Sequence, residues 1–347
     1  MHKSGHRIQT RFGPTLADIA ADVGLSSSTV SRALDPRRSL MVNSKTRELI
    51  SEAAERLGYL PHFPARSLMT GRTQTIVVIA ADLGNPWVTP ILHGVASRVV
   101  VDGIVPIIAE TNNDSQVLAE LINHMLARGV DAIVILAAQR QDAEVIEYAG
   151  RIVPTVVAAR TLLGVSVPIV THDDRRGGEM VAEHFADLGH KLVAQLLGPS
   201  DVRNFLLRSE GFAAVLNQRH LRQLSIGDEA IQPTLEEGFR LMTKLFDSAS
   251  ETPTAVFAHN DAMAIGAMAA IREHGLSIPE DISVSGYNDM PLTEFLAPSL
   301  TTVHYPGWEV GDSAGEVALR LLAGEHGVES VSLDPIFIPR GSSKQLT

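Results

Sequence analysis

From Thr75 onward the chain alternates short β-rich apolar runs with amphipathic helical patterns, and few folds accept that alternation. The runs are TIVVIAA (75–81), IVPIIA (104–109), AIVIL (132–136), TVVAA (155–159), LVAQLL (192–197), TAVFAH (254–259) and SVSGY (283–287). Between them lie stretches such as QVLAELINHMLARG and DAMAIGAMAAIREHG, with apolar residues at helical spacing. Strand–helix–strand repeats build parallel sheets covered by helices. So many units exceed what one sheet comfortably holds, and two similar α/β lobes are the economical expectation.

The first sixty residues follow another rule. Thr15 precedes LADIAADV, where Leu16, Ile19, Ala20 and Val23 share a helical face, so Thr15 is expected to cap a helix that Gly24 ends. Ser26 then starts a second helix with Val30, Ala33 and Leu34 on one side and Ser27, Ser28, Ser31 and Arg32 on the other. Asn43 or Ser44 can cap a third, TRELISEAAERLGY, whose Leu49, Ile50, Ala53, Ala54 and Leu57 complete a three-helix core. Two short helices joined by a glycine turn, the second with a polar outer face, make a helix-turn-helix. Small serines let a helix sit close to base edges, and Arg32 can make a two-pronged contact with guanine. Arg37, Arg38, Lys45 and Arg47 suit phosphates. A solvated polar face on a small bundle is the alternative.

Charge is divided accordingly. Residues 1–73 hold eleven Lys and Arg against six Asp and Glu, whereas the remaining 274 hold 18 against 34, within a net charge of −11. A basic module for a polyanion joined to an acidic body fits this asymmetry, as would a basic tail on an acidic enzyme. The chain has no cysteine, which excludes disulfides and thiolate chemistry. The opening MHKSGHRIQTRFGP is polar and basic, unlike a signal peptide, and no apolar run approaches the roughly 18 residues of a membrane span. A cytoplasmic protein with no membrane partner is expected.

TLADIAADVGLSSSTVSRAL, ERLGYLPHFPARSLMTGRT and nearly everything after them resemble the LacI/GalR (lac repressor/galactose repressor) family, from about residue 15 to about 341. The resemblance implies an N-terminal all-α helix-turn-helix domain plus a two-lobed α/β periplasmic-binding-protein-like body with parallel sheets. The expected boundaries are 15–60 for the DNA-binding domain, 61–74 for a hinge and 75–341 for the effector-binding and dimerisation body. Lobe 1 would span about 75–172 and 303–332, and lobe 2 about 173–302 and 333–341. Strands would cross near 171–173, 301–304 and 332. By the same resemblance Ser27, Ser28 and Arg32 read bases, with Thr29 and Ser31 near the DNA backbone. The hinge would form a minor-groove helix, with Leu68 as an apolar wedge and Arg66 following the groove. A plain linker is the alternative for 60–74, whose prolines and glycine suit a hinge.

Enzyme motifs are missing: there is no G-x-x-x-x-G-K-[ST], no G-x-G-x-x-G after a strand, no H-E-x-x-H and no G-x-S-x-G. His172-Asp173-Asp174 are three adjacent residues after a strand and cannot all face one metal ion. No catalytic residue, metal or cofactor is therefore expected. Ligands of open α/β sheets sit beyond the carboxyl ends of the strands. Those ends carry Asn85, Trp87, Thr111, Asn112, Gln139, Arg160, Asp173, Arg208, Asn260, Asp261, Asn288 and Tyr305, a set suited to a polyhydroxylated small molecule. The resemblance selects Trp87, Asp173, Arg208 and Asn260 as effector contacts, and Asn288 and Tyr305 join them. Asp261 reads as an N-cap. Many sugar-responsive relatives carry aspartate where GYND has Asn288. Losing that charge beside Arg208 makes a sugar acid or sugar phosphate easier to accommodate, while a neutral sugar in another pose fits equally.

The expected function is a dimeric transcription regulator, a repressor, whose affinity for near-palindromic operator DNA is set by a small ligand between the lobes. The chain ends in GSSKQLT without a heptad tail, which disfavours a tetramer built on a terminal helical bundle. The rivals are a free-standing solute-binding protein, an enzyme using the cleft for catalysis, and a regulator governed by a protein partner or a nucleobase corepressor.

Overall fold

The computed structural model describes residues 13–35, 38–59 and 71–346. It divides into two compact units at Thr73–Gln74.

The first unit contains α1 (Leu16–Val23), α2 (Ser27–Leu34) and α3 (Ser44–Leu57). Thr15 and Asp18 form a reciprocal capping box at the start of α1, and Gly24 closes it at φ 68°. Ser26 Oγ accepts from Thr29 N at 3.2 Å, and Asn43, rather than Ser44, caps α3 by accepting from Thr46 N at 2.8 Å. Ile19, Val30 and Ile50, one from each helix, are fully buried in the shared core. Each such side chain contributes roughly 1.5–3 kcal/mol of burial. Leu49, expected in that core, is 48% exposed, because it lies beside the inward face of α3 rather than on it.

The second unit opens with β1 (Thr75–Ala80), α4 (Val88–Val100), β2 (Val105–Glu110), α5 (Ser115–Ala127), β3 (Ala132–Ile135), α6 (Ala143–Ile152), β4 (Thr155–Ala158) and β5 (Ile169–His172). It continues with α7 (Asp174–Asp187), β6 (Leu192–Leu196), α8 (Arg203–Arg219), β7 (Arg222–Leu224), α9 (Leu235–Ser248), β8 (Ala255–Ala258), α10 (Asp261–Glu273) and β9 (Ser283–Ser285). It closes with β10 (Thr302–His304), α11 (Gly307–Leu322), β11 (Val331–Leu333) and β12 (Ile336–Ile338). One parallel sheet has the order β11-β5-β4-β3-β1-β2 and the other β7-β6-β8-β9, while β10 and β12 pair antiparallel.

The chain passes between the sheets three times: from β5 into α7, from β10 into α11, which packs on α4, and from β11 into β12. Gly286 N and Asn288 N donate to Thr301 O and Val303 O at 2.9 Å, so the approach to β10 extends the second sheet. Beyond β12, Ser342 is fully buried. Val284 N donates to its carbonyl at 2.7 Å and its hydroxyl donates to Val284 O at 2.6 Å, adding a tail to the edge of β9.

Central strands carry the cores. Ile76, Val77, Val78 and Ile79 are all fully buried, as a strand covered by helices on both faces requires. The edge strand β2 differs, leaving Val105, Ile107 and Ile108 between 42% and 52% exposed. Helices α7 and α8 pack at backbone contact: a Cβ on Gly178 would lie 2.1 Å from Arg208 O, and one on Gly211 2.0 Å from Arg175 O. Only glycine at both crossings permits this approach, and it fixes where α8 presents Arg208.

Candidate functional site

On α2, Ser27, Ser28 and Arg32 are exposed, and Thr29 and Ser31 are half-buried. The burial of Val30 and Ala33 turns that polar side outward. Ser28 Oγ lies 2.9 Å from Ser26 Oγ, and Arg32 Nε donates to Ser28 O at 3.3 Å, laying the guanidinium along the helix. Arg66 and Leu68, assigned to the hinge, lie outside the described residues, as does Arg37.

In the body, the carboxyl ends of the strands converge on one buried charge. Asp174, the first residue of α7, is 1% exposed. Its Oδ1 accepts from Arg208 Nε at 2.8 Å and lies 3.2 Å from His172 Nε2; its Oδ2 accepts from Asn204 Nδ2. Burial alone would raise the Asp174 pKa, but His172 and Arg208 outweigh it and hold the carboxyl below its ordinary value. Arg208 is itself buried, with Nη1 donating to His259 O, Nη2 to Asn288 Oδ1 at 3.5 Å, and its plane 3.6 Å over the Tyr287 ring. Burial, and then the Arg208 charge, push His259 down to about 3, so its imidazole is neutral at physiological pH.

Asn204 ties this cluster to the first sheet. Its Nδ2 also donates to Ala159 O at 3.1 Å, and its Oδ1 accepts from Thr161 N at 3.0 Å. On the other side His172 meets the Tyr287 hydroxyl at 2.9 Å and packs edge-on against Tyr305, whose ring stands 5.4 Å from Trp87 in a T-shaped contact. Two buried polar atoms here, His172 Nδ1 and the Tyr305 hydroxyl, have no hydrogen-bond partner among the described residues. A buried unpaired polar group is costly, so these are places where a polar ligand or a water gains most.

The structure thus brings Arg208 and Asn288 together, and Tyr305 with Trp87, through His172 and Tyr287. Two others are engaged as helix caps. Asp173 is exposed and caps α7, accepting from Arg176 N at 2.9 Å. Asn260, not Asp261, caps α10: its Oδ1 accepts from Met263 N at 2.7 Å and its Nδ2 donates to Pro233 O at 2.8 Å. Asp261 is instead fully buried, accepting from Thr302 Oγ1 at 2.6 Å and Met290 N at 2.7 Å; burial, with the Asp289 charge adding to it, pushes its pKa up to about 7.

The consequence expected of Asn288 also changes. Arg208 already has a carboxylate, Asp174, so a neutral residue at 288 does not leave it unpaired. Asp174 and Asn204 were missed by sequence reasoning, although both left signals. Asp173 is a cap and so points out of α7, which turns Asp174 inward, and Asn204 precedes Arg208 by one helical turn on the same face.

A helix-turn-helix on the same chain as a two-lobed α/β body with a polar, partly unsatisfied cleft defines a class: DNA-binding regulators that respond to a small ligand. Residues 15–62 match the family model described as bacterial regulatory proteins, lacI family, and residues 182–343 match a periplasmic binding protein-like domain. The HTH-type transcriptional repressor CytR of Escherichia coli K12 is 29% identical over 338 residues, covering 96% of this chain and 97% of that one. A lac repressor dimer bound to operator and an anti-inducer superposes with a TM-score of 0.85 at 26% identity, covering 96% of this chain and all of that one. A LacI family transcriptional regulator from Enterococcus faecium with bound ribose is 30% identical, covers 79% of this chain and all of its own, and has a TM-score of 0.67. This chain belongs to the LacI family of transcriptional regulators.

Proposed function

We propose that the protein is a repressor that binds near-palindromic operator DNA as a homodimer through α2, and that a small polar ligand, a sugar or sugar derivative, controls its affinity from the cleft. The observation that carries this is one chain of contacts: Arg208 holds Asp174, Asp174 holds Asn204, and Asn204 ends on the backbone at Ala159 and Thr161 of the other lobe. A ligand that draws on Arg208 therefore changes the spacing of the lobes, which is the differential contact that linkage requires. Ser27, Ser28 and Arg32 read bases, Thr29 and Ser31 approach phosphates, and Arg66 and Leu68 complete the hinge contact. Trp87, Tyr305, Asn288, Asp173 and Asn260 frame the ligand around Arg208.

For the homodimer, the supporting feature is the apolar edge of β2 with Val100 and Val101, which are 57% and 86% exposed. The ribose in the Enterococcus faecium structure supports a sugar-like ligand. No helix among the described residues is long and apolar enough to cross a membrane, which suits a cytoplasmic regulator. Binding rather than turnover is the activity.

The test is selection of operator DNA from a random library, followed by release assays with sugars, sugar acids, sugar phosphates and nucleobases. A compound that alters operator binding in the wild type and has no effect on Arg208→Ala is the expected result. Failure of the library to enrich any sequence would overturn the DNA-binding role; a ligand response untouched by Arg208→Ala would overturn the cleft.

A further inference from the structure

A second arginine reaches the cleft from the other lobe, and the charges around it do not balance. Arg160 stands two residues beyond β4 and is 9% exposed. Its Nη1 donates to Ala137 O at 3.1 Å and Ala138 O at 3.4 Å, past the end of β3, and its Nη2 donates to Asn113 Oδ1 at 2.6 Å, past the end of β2. The guanidinium therefore spans the carboxyl ends of β4, β3 and, across the intervening β1, β2, where an open α/β sheet receives its ligand. Its own backbone lies between Ala159 and Thr161, the two residues that Asn204 ties to Asp174 and Arg208.

All three acceptors on Arg160 are neutral. Among the described residues no carboxylate forms an ion pair with it. The two acids whose fields reach it are Asp142 and Asp201. Asp142 is buried with its Oδ2 accepting from Gln139 N at 2.7 Å, and Asp201 is exposed on the loop before α8. Burial lowers the Arg160 pKa, but only to about 10, so the cation persists at neutral pH. Arg208 presents the contrast: at comparable burial it has a carboxylate at 2.8 Å. Taking a cation out of water without a paired anion is strongly unfavourable, and a binding site is where such an imbalance is resolved by the ligand.

We propose that the effector carries an acidic oxyanion group, a carboxylate or a phosphate ester, and that Arg160 is the residue that receives it. This rests on the cleft being the effector site and adds the chemical class of the ligand. Arg160 takes the anionic end from the first lobe, with Gln139 and Asn113 beside it, while Arg208, Asn288 and the unpartnered Tyr305 hydroxyl face the hydroxylated remainder. The planar fork suits both acids, since carboxylate and phosphate each accept two parallel N–H groups.

The experiment measures thermal stabilisation of the full chain, at fixed ionic strength, by D-glucose, D-gluconate, D-glucose 6-phosphate, acetate and inorganic phosphate. Wild type should be stabilised by the acids at concentrations where glucose has no effect, and the gluconate and phosphate arms identify which oxyanion is preferred. Arg160→Gln should weaken the acids by about 30-fold or more, whereas Arg160→Lys keeps the charge and the preference with lower affinity. Circular dichroism of both variants checks that they fold. Equal stabilisation by glucose and its acids, equal loss of neutral and acidic compounds in Arg160→Gln, or no stabilisation of wild type by any anion would each overturn the proposal. The cleft reading fails separately: anion stabilisation that survives Arg208→Ala and leaves operator binding unchanged puts the ligand elsewhere.

Discussion

Replacing Asp174 by asparagine exchanges one oxygen for an amide nitrogen and should destabilise the body severely. Both carboxylate oxygens are in use as acceptors: Oδ1 faces Arg208 Nε and His172 Nε2, and Oδ2 faces Asn204 Nδ2. An asparagine has only one acceptor oxygen, so its amide hydrogens must oppose a donor on one side or the other. It also leaves Arg208 buried without its anion. Breaking a buried pair from one side costs about 3–5 kcal/mol. For a body of this size each kcal/mol lowers Tm by about 2–4 °C, so Asp174→Asn should melt roughly 6–20 °C below wild type. Urea unfolding gives the free energy directly, and a double-mutant cycle with Arg208→Gln isolates the pair. Coupling of about 2 kcal/mol or more is expected, because the Asp174→Asn loss shrinks once the guanidinium is gone. A loss under about 1 kcal/mol, or simple additivity of the two substitutions, would refute the argument that this ion pair organises the cleft.

Gly178→Ala should force α7 and α8 apart at Arg208, since its Cβ would lie 2.1 Å from that residue's carbonyl. Overpacking of this kind costs about 1–3 kcal/mol, and operator release by ligand should weaken more than operator binding does. Asp261 gives a pH signature. Its folded pKa of about 7 exceeds the ordinary 3.8, so its contribution is full below pH 4 and is lost as pH rises through 7. A difference of that size between the folded and unfolded chain corresponds to about 4 kcal/mol at the limit, and urea midpoints of Asp261→Asn, a neutral isostere, should lack that part of the pH slope. Ile107→Lys on the β2 edge should shift sedimentation from dimer to monomer and reduce operator affinity, with the thermal stability of the isolated chain nearly unchanged because the site is 42% exposed.

Most of the strands were legible in the sequence because strands covered on both faces read as continuous apolar runs. TIVVIAA, AIVIL and TAVFAH all became buried central strands. Strands such as Arg222–Leu224 and Val331–Leu333 are three residues long and partly exposed, so no apolar run announces them. They exist because a neighbouring strand offers a hydrogen-bonding edge. The helix-turn-helix was legible for a different reason: its caps are local, and Thr15, Ser26 and Asn43 bond within three residues of themselves.

The site divides along the same line. Residue types, helical spacing and capping signals are properties of neighbours in the chain, and they suffice to place an outward Ser27–Ser28–Arg32 face and an arginine at 208 on a helix. Which carboxylate neutralises Arg208 depends on a group 34 residues away in sequence, and that no described carboxylate pairs with Arg160 depends on groups 22 to 47 residues away. No periodicity encodes such pairings. They follow from glycine contacts that set the distance between α7 and α8, and from three passages of the chain between two sheets. Local sequence thus specifies most of the elements, the outward polar face of α2 and the family. The balance of buried charge in the cleft emerges only when the chain is folded, because electrostatic pairing is settled by distance and desolvation in space.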